Sequence, residues 1–262
     1  MSAADVPVLT KDDMRAALNG AMLKLLYQPV IRLADGIPAG VEVLARLDHA
    51  KHGMLSADQF IPQMEAAGLS RLLTRTMITQ ALHEVCSHGL VQLALRFGLN
   101  VPLNVLMMPD MLEFLETQRQ KCVIPASQIV VELTETQPVT DHDALRGVVR
   151  RLRDIGYRVA IDDASPAMAN IGALLKMDFT TLKFDKSVVR HARHDPDCRA
   201  FIDEVAHAAR AAKIQTIAEG IEDQETQDLM CALGLDGAQG YFFARPLPIA
   251  AVKLWLNTRQ PG

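Results

Sequence analysis

The feature that most constrains the fold of this chain is a regular alternation of short apolar runs with amphipathic stretches of helical length. The runs rich in leucine and β-branched residues are predicted strands, at residues 25–33, 37–44, 93–100, 129–133, 158–161, 181–184 and 214–218. The amphipathic stretches include predicted helices at residues 71–86, 141–155, 196–212 and 223–233. Strands that alternate with helices form parallel βα units, and about eight such units close into a barrel. The predicted fold class is therefore α/β, as a TIM-like (β/α)8 barrel.

The first two predicted strands differ from the others because only Ala34, Asp35 and Gly36 separate them. A connection of this length cannot hold a crossover helix, so the two strands are predicted to form an antiparallel hairpin. The chain has no Pro/Ser-rich linker and no low-complexity segment. We therefore expect one barrel domain at residues 23–258, preceded by a leading segment or helix at residues 1–22.

Composition and charge exclude several classes of function. The formal net charge is −4 and no stretch collects a basic excess, which argues against DNA as a partner. The four cysteines are scattered without CxxC spacing, as is typical of free thiols in a reducing compartment. No apolar run reaches the roughly 18 residues of a membrane span, and the first residues have no apolar signal core. These features predict a cytoplasmic protein without a membrane span.

Polar residues stand at the ends of the predicted strands, which in a parallel barrel converge on one face. An apolar run that ends in two adjacent aspartates is a poor core element, but it can hold a cation that offsets the repulsion between the two charges. The whole set comprises five carboxylates, two amides and a lysine: Glu42, Asn100, Glu132, Asp162, Asp163, Lys183, Glu219 and Gln239. Oxygen ligands without histidine or cysteine favour Mg²⁺, Mn²⁺ or Ca²⁺ over zinc. Two such ions about 3.5–4 Å apart would suit hydrolysis of a phosphodiester.

Each of these residues has an ordinary structural interpretation when it is taken alone. Glu42 could pair with Arg46 at the barrel rim, and Lys183 could be a surface lysine. Independent accidents at so many successive strand ends are improbable, so the set as a whole favours a shared metal site. In contrast, His49 and His52 lack a third ligand at a useful spacing, and we expect both to be exposed loop residues.

In their order along the chain, these residues lie in motifs that resemble those of the EAL domains, bacterial phosphodiesterases of the second messenger cyclic di-GMP. The naming motif is present as Glu42-Val43-Leu44, with Arg46 at the EALxR spacing, and the closing QGYxFxxPLP segment is present as QGYFFARPLP. Further matches are Gln28-Pro29, the ELTE motif at 132–135, Asp162-Asp163, the LKFD motif around Lys183 and the AEGIE motif at 218–222. The resemblance extends from about residue 25 to residue 256. It implies a barrel with an antiparallel first strand that hydrolyses cyclic di-GMP to linear pGpG.

The resemblance also implies a role for each residue. The implied ligands of a two-ion Mg²⁺ or Mn²⁺ site, at which Ca²⁺ is inhibitory or non-productive, are Glu42, Asn100, Glu132, Asp162, Asp163 and Glu219. The implied catalytic residues are Lys183, Glu219 and Gln239. Lys183 would orient or deprotonate the attacking water, with a pKa lowered by neighbouring metal ions. The implied substrate contacts are Gln28, Leu44, Arg46 and Pro246, with Arg46 on a phosphate, and the implied loop anchors are Glu135 and Glu222.

The loop after the aspartate pair departs from the family pattern. Active members usually continue as DDFGTGYSS, whereas residues 162–170 here are DDASPAMAN. Both glycines are absent and Pro166 fixes its own φ, so the loop is expected to differ in shape and to lose its coupling to Glu135. The second metal, or a homodimer formed through this region, would be impaired first. Three functions therefore stay open: an active phosphodiesterase, a cyclic di-GMP receptor that does not cut the nucleotide, and a scaffold for a protein partner.

Overall fold

A nine-stranded sheet surrounded by helices is built from the residues that the computed structural model describes, which are 6–19, 22–134, 141–168 and 170–258. The strands are β1 Leu23–Arg32, β2 Pro38–His49, β3 Gly53–Ser56, β4 Arg96–Pro102, β5 Ile129–Thr134, β6 Arg158–Ala164, β7 Thr181–Phe184, β8 Gln215–Ala218 and β9 Gly237–Gln239. The helices are α1 Lys11–Leu18, α2 Ala57–Ala66, α3 Ser70–Ser87, α4 Leu103–Leu106, α5 Met111–Lys121, α6 His142–Ile155, α7 Ile171–Leu174, α8 Lys186–His191, α9 Pro196–Ala211, α10 Gln224–Ala232 and α11 Ile249–Asn257.

Eight of the strands close into a barrel. Neighbours in the series β2, β4, β5, β6, β7, β8 and β9 are parallel, and β1 completes the ring by pairing antiparallel with both β2 and β9. The predicted barrel with an antiparallel first strand is confirmed. The remaining strand, β3, pairs antiparallel with the outer part of β2 and lies outside the ring. It was not predicted, because four residues between a turn and a helix carry too little periodicity.

Helix α6 shows how the sequence sets the position of the strand that ends in the aspartate pair. Its buried stripe consists of Leu145, Val148, Val149 and Leu152. The helix begins after Asp141, whose side chain accepts from the N–H of Ala144, and ends before Gly156, which has a left-handed φ of 105°. Such a conformation suits glycine at a helix end. The chain therefore turns sharply at Gly156 and enters β6 with a fixed register against β5.

Two buried tyrosines connect outer helices to the barrel. Tyr27 on β1 donates a hydrogen bond of 2.8 Å to Glu84 on α3, and Tyr157, just before β6, donates one of 2.8 Å to Glu116 on α5. Burial, together with the neighbouring carboxylate, raises the pKa of both phenols. Both tyrosines therefore remain neutral donors, and they fix the helices around the apolar core between sheet and helices.

The expectation of an exposed loop position is wrong for His49 and holds for His52. His49 is only 7% exposed, because β3 folds back along β2 and α1 lies over the turn. Its Nδ1 accepts from the backbone N–H groups of Lys51 and His52, and its Nε2 lies 3.1 Å from Oδ1 of Asp13 on α1. His49 is therefore a structural residue that attaches the leading helix to the barrel.

None of the helices in the described part of the chain is both long enough and apolar enough to cross a membrane.

Candidate active site

The polar residues predicted at strand ends converge at one end of the barrel. Glu42 lies on β2, Asn100 on β4, Glu132 on β5, Asp162 on β6, Lys183 on β7 and Gln239 on β9, while Glu219 directly follows β8. Parallel strands bring these positions together because they lie near the carboxyl ends of their strands, apart from Glu42, which lies midway along the longer strand β2. Most of the cluster is shielded from solvent, since Glu42, Glu132, Asp162, Lys183 and Gln239 are all less than 9% exposed.

Lys183 occupies the centre of the cluster. Its ammonium Nζ lies 2.6 Å from Glu219 Oε1, 2.8 Å from Glu132 Oε2, 3.0 Å from Asp162 Oδ1 and 3.2 Å from Glu42 Oε2. The side chain is 1% exposed. A buried ammonium needs compensating charge, and four carboxylates exceed that need by three formal charges. With all four carboxylates ionised, the cluster would therefore carry an excess of negative charge that a cation could offset.

Two amides hold the carboxylates in place. Asn100 Nδ2 donates to Glu42 Oε1 at 2.9 Å. Gln239 Nε2 donates to Glu42 Oε2 at 2.6 Å and to Glu219 Oε1 at 3.0 Å. The Oε1 atom of Gln239 is buried and has no hydrogen-bond partner within the described ranges. An unpaired acceptor facing this site is a position that a cation or a water molecule could satisfy.

The charges in the cluster change the pKa values of its members in both directions. Burial raises the pKa of Glu132 to about 8, with the charges of Glu42 and Asp162 adding to the effect, and it also raises the pKa of Glu219. Burial acts the same way on Glu42, but Lys183 and the amide donors outweigh it and lower that pKa. Burial alone would lower the pKa of Lys183, yet the surrounding carboxylates raise it well above its usual value. With carboxylates as its neighbours, Lys183 is thus a cation, and a pKa lowered by neighbouring metal ions stays a prediction.

The aspartate pair lies at a bulge where the register between β6 and β7 shifts. Asp162 is buried among the other carboxylates, whereas Asp163 is exposed and has a left-handed φ of 53°. That conformation is uncommon for residues other than glycine, although aspartate and asparagine tolerate it. Loss of hydration, with the charges of Asp162 and Asp185, raises the pKa of Asp163 to about 6. The bulge therefore directs one carboxylate inwards and the next towards the rim.

The donor set fits hard divalent cations. Two groups of carboxylates have ligand oxygens within 4.8 Å of one another: Glu42, Glu132 and Asp162, and then Asp162, Asp163 and Glu219. Asp162 belongs to both groups, so it could bridge two ions. The ligands are all oxygens, four carboxylates contact a single ammonium, and Gln239 has an unpaired acceptor. These are the properties of Mg²⁺ or Mn²⁺ sites.

This geometry agrees with the comparison to known proteins. The family model described as "EAL domain" matches residues 11–246. The chain belongs to the EAL domain family.

Two curated relatives match most of the chain. The bifunctional diguanylate cyclase/cyclic di-GMP phosphodiesterase MucR of Pseudomonas aeruginosa is 27% identical over 244 residues, which are 90% of this chain and 35% of MucR. The cyclic di-GMP phosphodiesterase PdeL of Escherichia coli is 28% identical over 242 residues, 92% of this chain and 67% of PdeL. The chain thus spans about a third of MucR and two thirds of PdeL.

Solved structures of EAL domains have the same fold. The EAL enzyme Bd1971, in a form with cAMP and cyclic di-GMP bound, superposes with a TM-score of 0.87 at 26% identity, over 94% of this chain and 67% of that one. The phosphodiesterase of MucR in complex with cyclic di-GMP superposes with a TM-score of 0.84 at 25% identity, over 90% of this chain and 96% of that one.

The predicted substrate contacts surround the mouth of the EAL domain barrel. Leu44 and Arg46 continue the inward face of β2 beyond Glu42, and Gln28 lies opposite Glu42 in the register between β1 and β2. Pro246 is brought near β1 because the next residue pairs with Tyr27 through two backbone hydrogen bonds. Arg46 donates to the carbonyl of its own neighbour Ala45 at 2.8 Å, and no carboxylate in the described residues pairs with it. Its charge is therefore available for an anionic ligand.

Of the two predicted loop anchors, only Glu222 lies among the described residues. Glu222 lies after β8 with its Oε1 3.5 Å from Nη1 of Arg190 at the end of α8. Glu135 lies outside the described residues. The diverged loop itself contains a turn in which the N–H of Met168 donates to the carbonyl of Ser165 at 2.9 Å. The side chain of Met168 reaches the wall of a cavity that Asp162 also lines, so the loop packs against the base of the aspartate pair.

One feature of the rim was missed by sequence reasoning. Tyr241, two residues after Gln239, is 52% exposed, and the guanidinium carbon of Arg245 lies 4.4 Å from the centre of its ring. An exposed aromatic ring beside a polar site can stack on a flat ligand. The sequence carries a signal for it, because Tyr241 is an aromatic residue just after a strand end in the QGY motif.

Proposed function

We propose that this EAL domain hydrolyses cyclic di-GMP to linear pGpG with the help of Mg²⁺ or Mn²⁺. The observation that carries the proposal is the burial of Lys183 among four carboxylates, at 2.6–3.2 Å, at the mouth of the barrel. Four carboxylates in contact with one ammonium are costly in a purely structural site and useful in a site that binds cations. The activities named for MucR and PdeL support the same reaction.

The position of each residue in the cluster supports a specific role in the proposed hydrolysis. Divalent cations held by the carboxylates would supply positive charge to a phosphate and would make a water molecule more acidic. Lys183 is placed to orient the attacking water among the carboxylates, and Gln239 fixes the orientation of Glu42 and Glu219. Arg46 would hold a phosphate oxygen, which its lack of a carboxylate partner among the described residues supports, and the exposed ring of Tyr241 would stack on a guanine base. We also propose a cytoplasmic location, since four free cysteines suit a reducing compartment.

A second candidate is a receptor that binds cyclic di-GMP without cutting it and passes the signal to a second copy of the chain or to another protein. The loop after the aspartate pair favours this alternative. Asp163 is exposed and has a left-handed conformation, and the residues that follow have Ser165 and Ala167 in place of the usual glycines, with Pro166 between them. If Asp163 cannot contribute to a second ion, the cluster around Glu42 can still bind a ligand while turnover is lost.

Product chromatography separates the two candidates. The protein is incubated with cyclic di-GMP and Mn²⁺ or Mg²⁺, next to Glu42→Gln, Lys183→Met and, as a matched control, Glu113→Gln on the exposed face of α5. If the protein is a phosphodiesterase, the wild type and Glu113→Gln form pGpG, whereas Glu42→Gln and Lys183→Met do not. Calorimetric binding of cyclic di-GMP without any pGpG supports the receptor. Activity that survives in both site variants contradicts the proposed site, and absence of both turnover and binding leaves only the protein-binding scaffold.

A further inference from the structure

The barrel contains a second cavity at the end opposite the carboxylate cluster. It has a volume of about 330 Å³ and lies inside the amino-terminal half of the barrel. Three glycines on neighbouring strands, Gly40, Gly98 and Gly237, belong to its lining. The floor next to the active site includes Glu132, and the opposite mouth is formed by the first residues of alternate strands, Arg96 on β4 and Gln215 on β8. A cavity of this volume exceeds a few water molecules and matches a small metabolite.

Two arginines at this mouth share one neutral acceptor. Arg96 Nη1 donates to Gln215 Oε1 at 2.9 Å, and Arg158 Nη2, from the start of β6, donates to the same oxygen at 2.7 Å. Both side chains are partly buried, and neither pairs with a carboxylate in the part of the chain that the structure describes. The Nε atom of Arg158 is buried and lacks a hydrogen-bond partner among those residues. Two guanidinium groups therefore stand together with donors to spare.

The nearby acidic groups are already engaged. Asp236 lines the cavity but accepts from the backbone N–H and the hydroxyl of Thr216, at 2.8 Å and 3.2 Å. Glu132 is held by Lys183 at 2.8 Å on the far side. A further arginine at the mouth, Arg32, pairs with Asp35. The positive charge of Arg96 and Arg158 thus has no counter-charge of its own.

The partly buried guanidinium groups of Arg96 and Arg158 repel each other electrostatically. Burial lowers the pKa of Arg96, and the neighbouring Arg32 adds to the effect. Burial and the charges of Arg96 and Arg153 lower the pKa of Arg158 to about 10. Partly buried like charges that repel one another are stable when an anion lies between them.

We propose that this lower cavity binds a small metabolite through a phosphate or carboxylate group held between Arg96 and Arg158. The two guanidinium groups offer planar, two-pronged donors that match an oxyanion, and the shared oxygen of Gln215 holds both at one side of the cavity mouth. The site is distinct from the phosphate contact proposed for Arg46, which lies at the opposite end of the barrel.

Calorimetry and thermal unfolding test the site. All measurements are made in EDTA, so that metal-dependent binding at the upper cluster is absent, and ionic strength is held constant with chloride. The probes are inorganic phosphate, a sugar monophosphate and citrate. We expect at least one probe to raise the melting temperature and to bind at least tenfold more weakly to Arg96→Gln and Arg158→Gln. The probe that binds best distinguishes a phosphate from a carboxylate ligand.

Two control variants interpret the outcome. Arg146→Gln on the exposed face of α6 is expected to bind like the wild type, and Arg46→Gln at the upper mouth is expected to keep the binding event that Arg96→Gln and Arg158→Gln lose. With no probe present, Arg96→Gln is expected to melt at or above the wild-type temperature, because it removes one of two repelling charges; a purely structural arginine would lower it. The proposal is overturned if no probe binds the wild type beyond the effect of chloride, if Arg146→Gln loses binding equally, or if only Arg46→Gln loses it. Should Arg96→Gln not fold, the wild-type isotherm and Arg158→Gln decide.

Discussion

Gly98 on β4 provides the space that the carboxylate of Glu132 on β5 occupies. A Cβ atom at position 98 would lie 2.8 Å from Cδ of Glu132 and closer still to its Oε1. That carboxylate cannot easily move away, because Lys183 holds its other oxygen at 2.8 Å. Glycine at position 98 on β4 is thus required for the carboxylate of Glu132 on β5 to lie in the cluster.

Gly98→Ala is therefore expected to lower the free energy of unfolding by about 1–3 kcal/mol, the usual effect of overpacking, and to displace Glu132 from the cluster. Urea unfolding measures the first effect and Mn²⁺ calorimetry the second. Gly147→Ala is the matched control, because position 147 lies within α6 and a Cβ there meets nothing closer than 3.9 Å. This second change should stabilise the protein by about 0.5–1 kcal/mol. Equal effects of the two substitutions would refute the steric argument.

Replacing Lys183 by methionine keeps the approximate volume and removes the only cation in contact with four buried carboxylates in the described structure. Loss of one partner of a buried ion pair costs about 3–5 kcal/mol, so the free energy of unfolding in EDTA should fall by that amount. Millimolar Mg²⁺ should restore part of the loss, since a divalent cation can compensate the same charges. Lys253→Met on the exposed side of α11 should change stability by less than about 0.5 kcal/mol. A Lys183→Met protein as stable as the wild type in EDTA would show that the carboxylates do not need the ammonium.

The extent to which sequence reasoning succeeded follows from how local each signal was. The barrel and its antiparallel first strand could be predicted, because the periodicities of 2.0 and 3.6 residues and the short Ala34–Gly36 connection are properties of contiguous segments. Convergence of Glu42, Glu132 and Lys183 could also be anticipated, since strand ends in a parallel barrel share one face. Their catalytic roles remain predictions.

The missed features depend on contacts between distant segments. His49 is buried because Asp13 and the turn after β2 meet it, and nothing near His49 in the sequence announces that contact. β9 contains only Gly237, Ala238 and Gln239, which have no apolar alternation. Arg96 and Arg158 each resemble a surface arginine in sequence, and only closure of the barrel brings both to Gln215.

Two substitutions of Asp163 can separate the effect of its backbone conformation from the effect of its charge. Asparagine tolerates a left-handed φ nearly as well as aspartate, whereas alanine does not. Asp163→Asn should therefore keep the wild-type stability within about 0.5 kcal/mol, and Asp163→Ala should lose about 1 kcal/mol or more. Both variants lack the carboxylate, so both should weaken the second of two Mn²⁺ binding events in calorimetry by at least tenfold. Unchanged Mn²⁺ binding in both would mean that Asp163 is not a ligand, which would favour the receptor over the enzyme.

The pair of Tyr157 and Glu116 predicts a pH dependence that does not involve the active site. Arg119, with Tyr157 and Gln120 as further donors, lowers the pKa of Glu116 to about 2 from a usual value near 4.5. A carboxyl whose pKa is lowered on folding stabilises the protein fully above its unfolded pKa and loses that contribution as the pH falls towards its folded pKa. The difference in free energy of unfolding between the wild type and Glu116→Gln should thus be largest at pH 6 and shrink steadily from pH 4.5 to pH 3.

Urea unfolding at pH 6, 4.5, 3.5 and 3 measures this difference, and two further variants assign its cause. Tyr157→Phe removes the hydroxyl that donates 2.8 Å to Glu116 and should cost about 1.5 kcal/mol at pH 6, the value of a hydrogen bond to a charged group. Glu113→Gln, on the exposed face of the same helix, should show no such pH dependence. If Glu113→Gln and Glu116→Gln lose stability in parallel, the effect belongs to the general charge of α5. If only Glu116→Gln does, its contacts with Arg119 and Tyr157 are the source, and the loss in Tyr157→Phe gives the share of the contact between α5 and the residue that precedes β6.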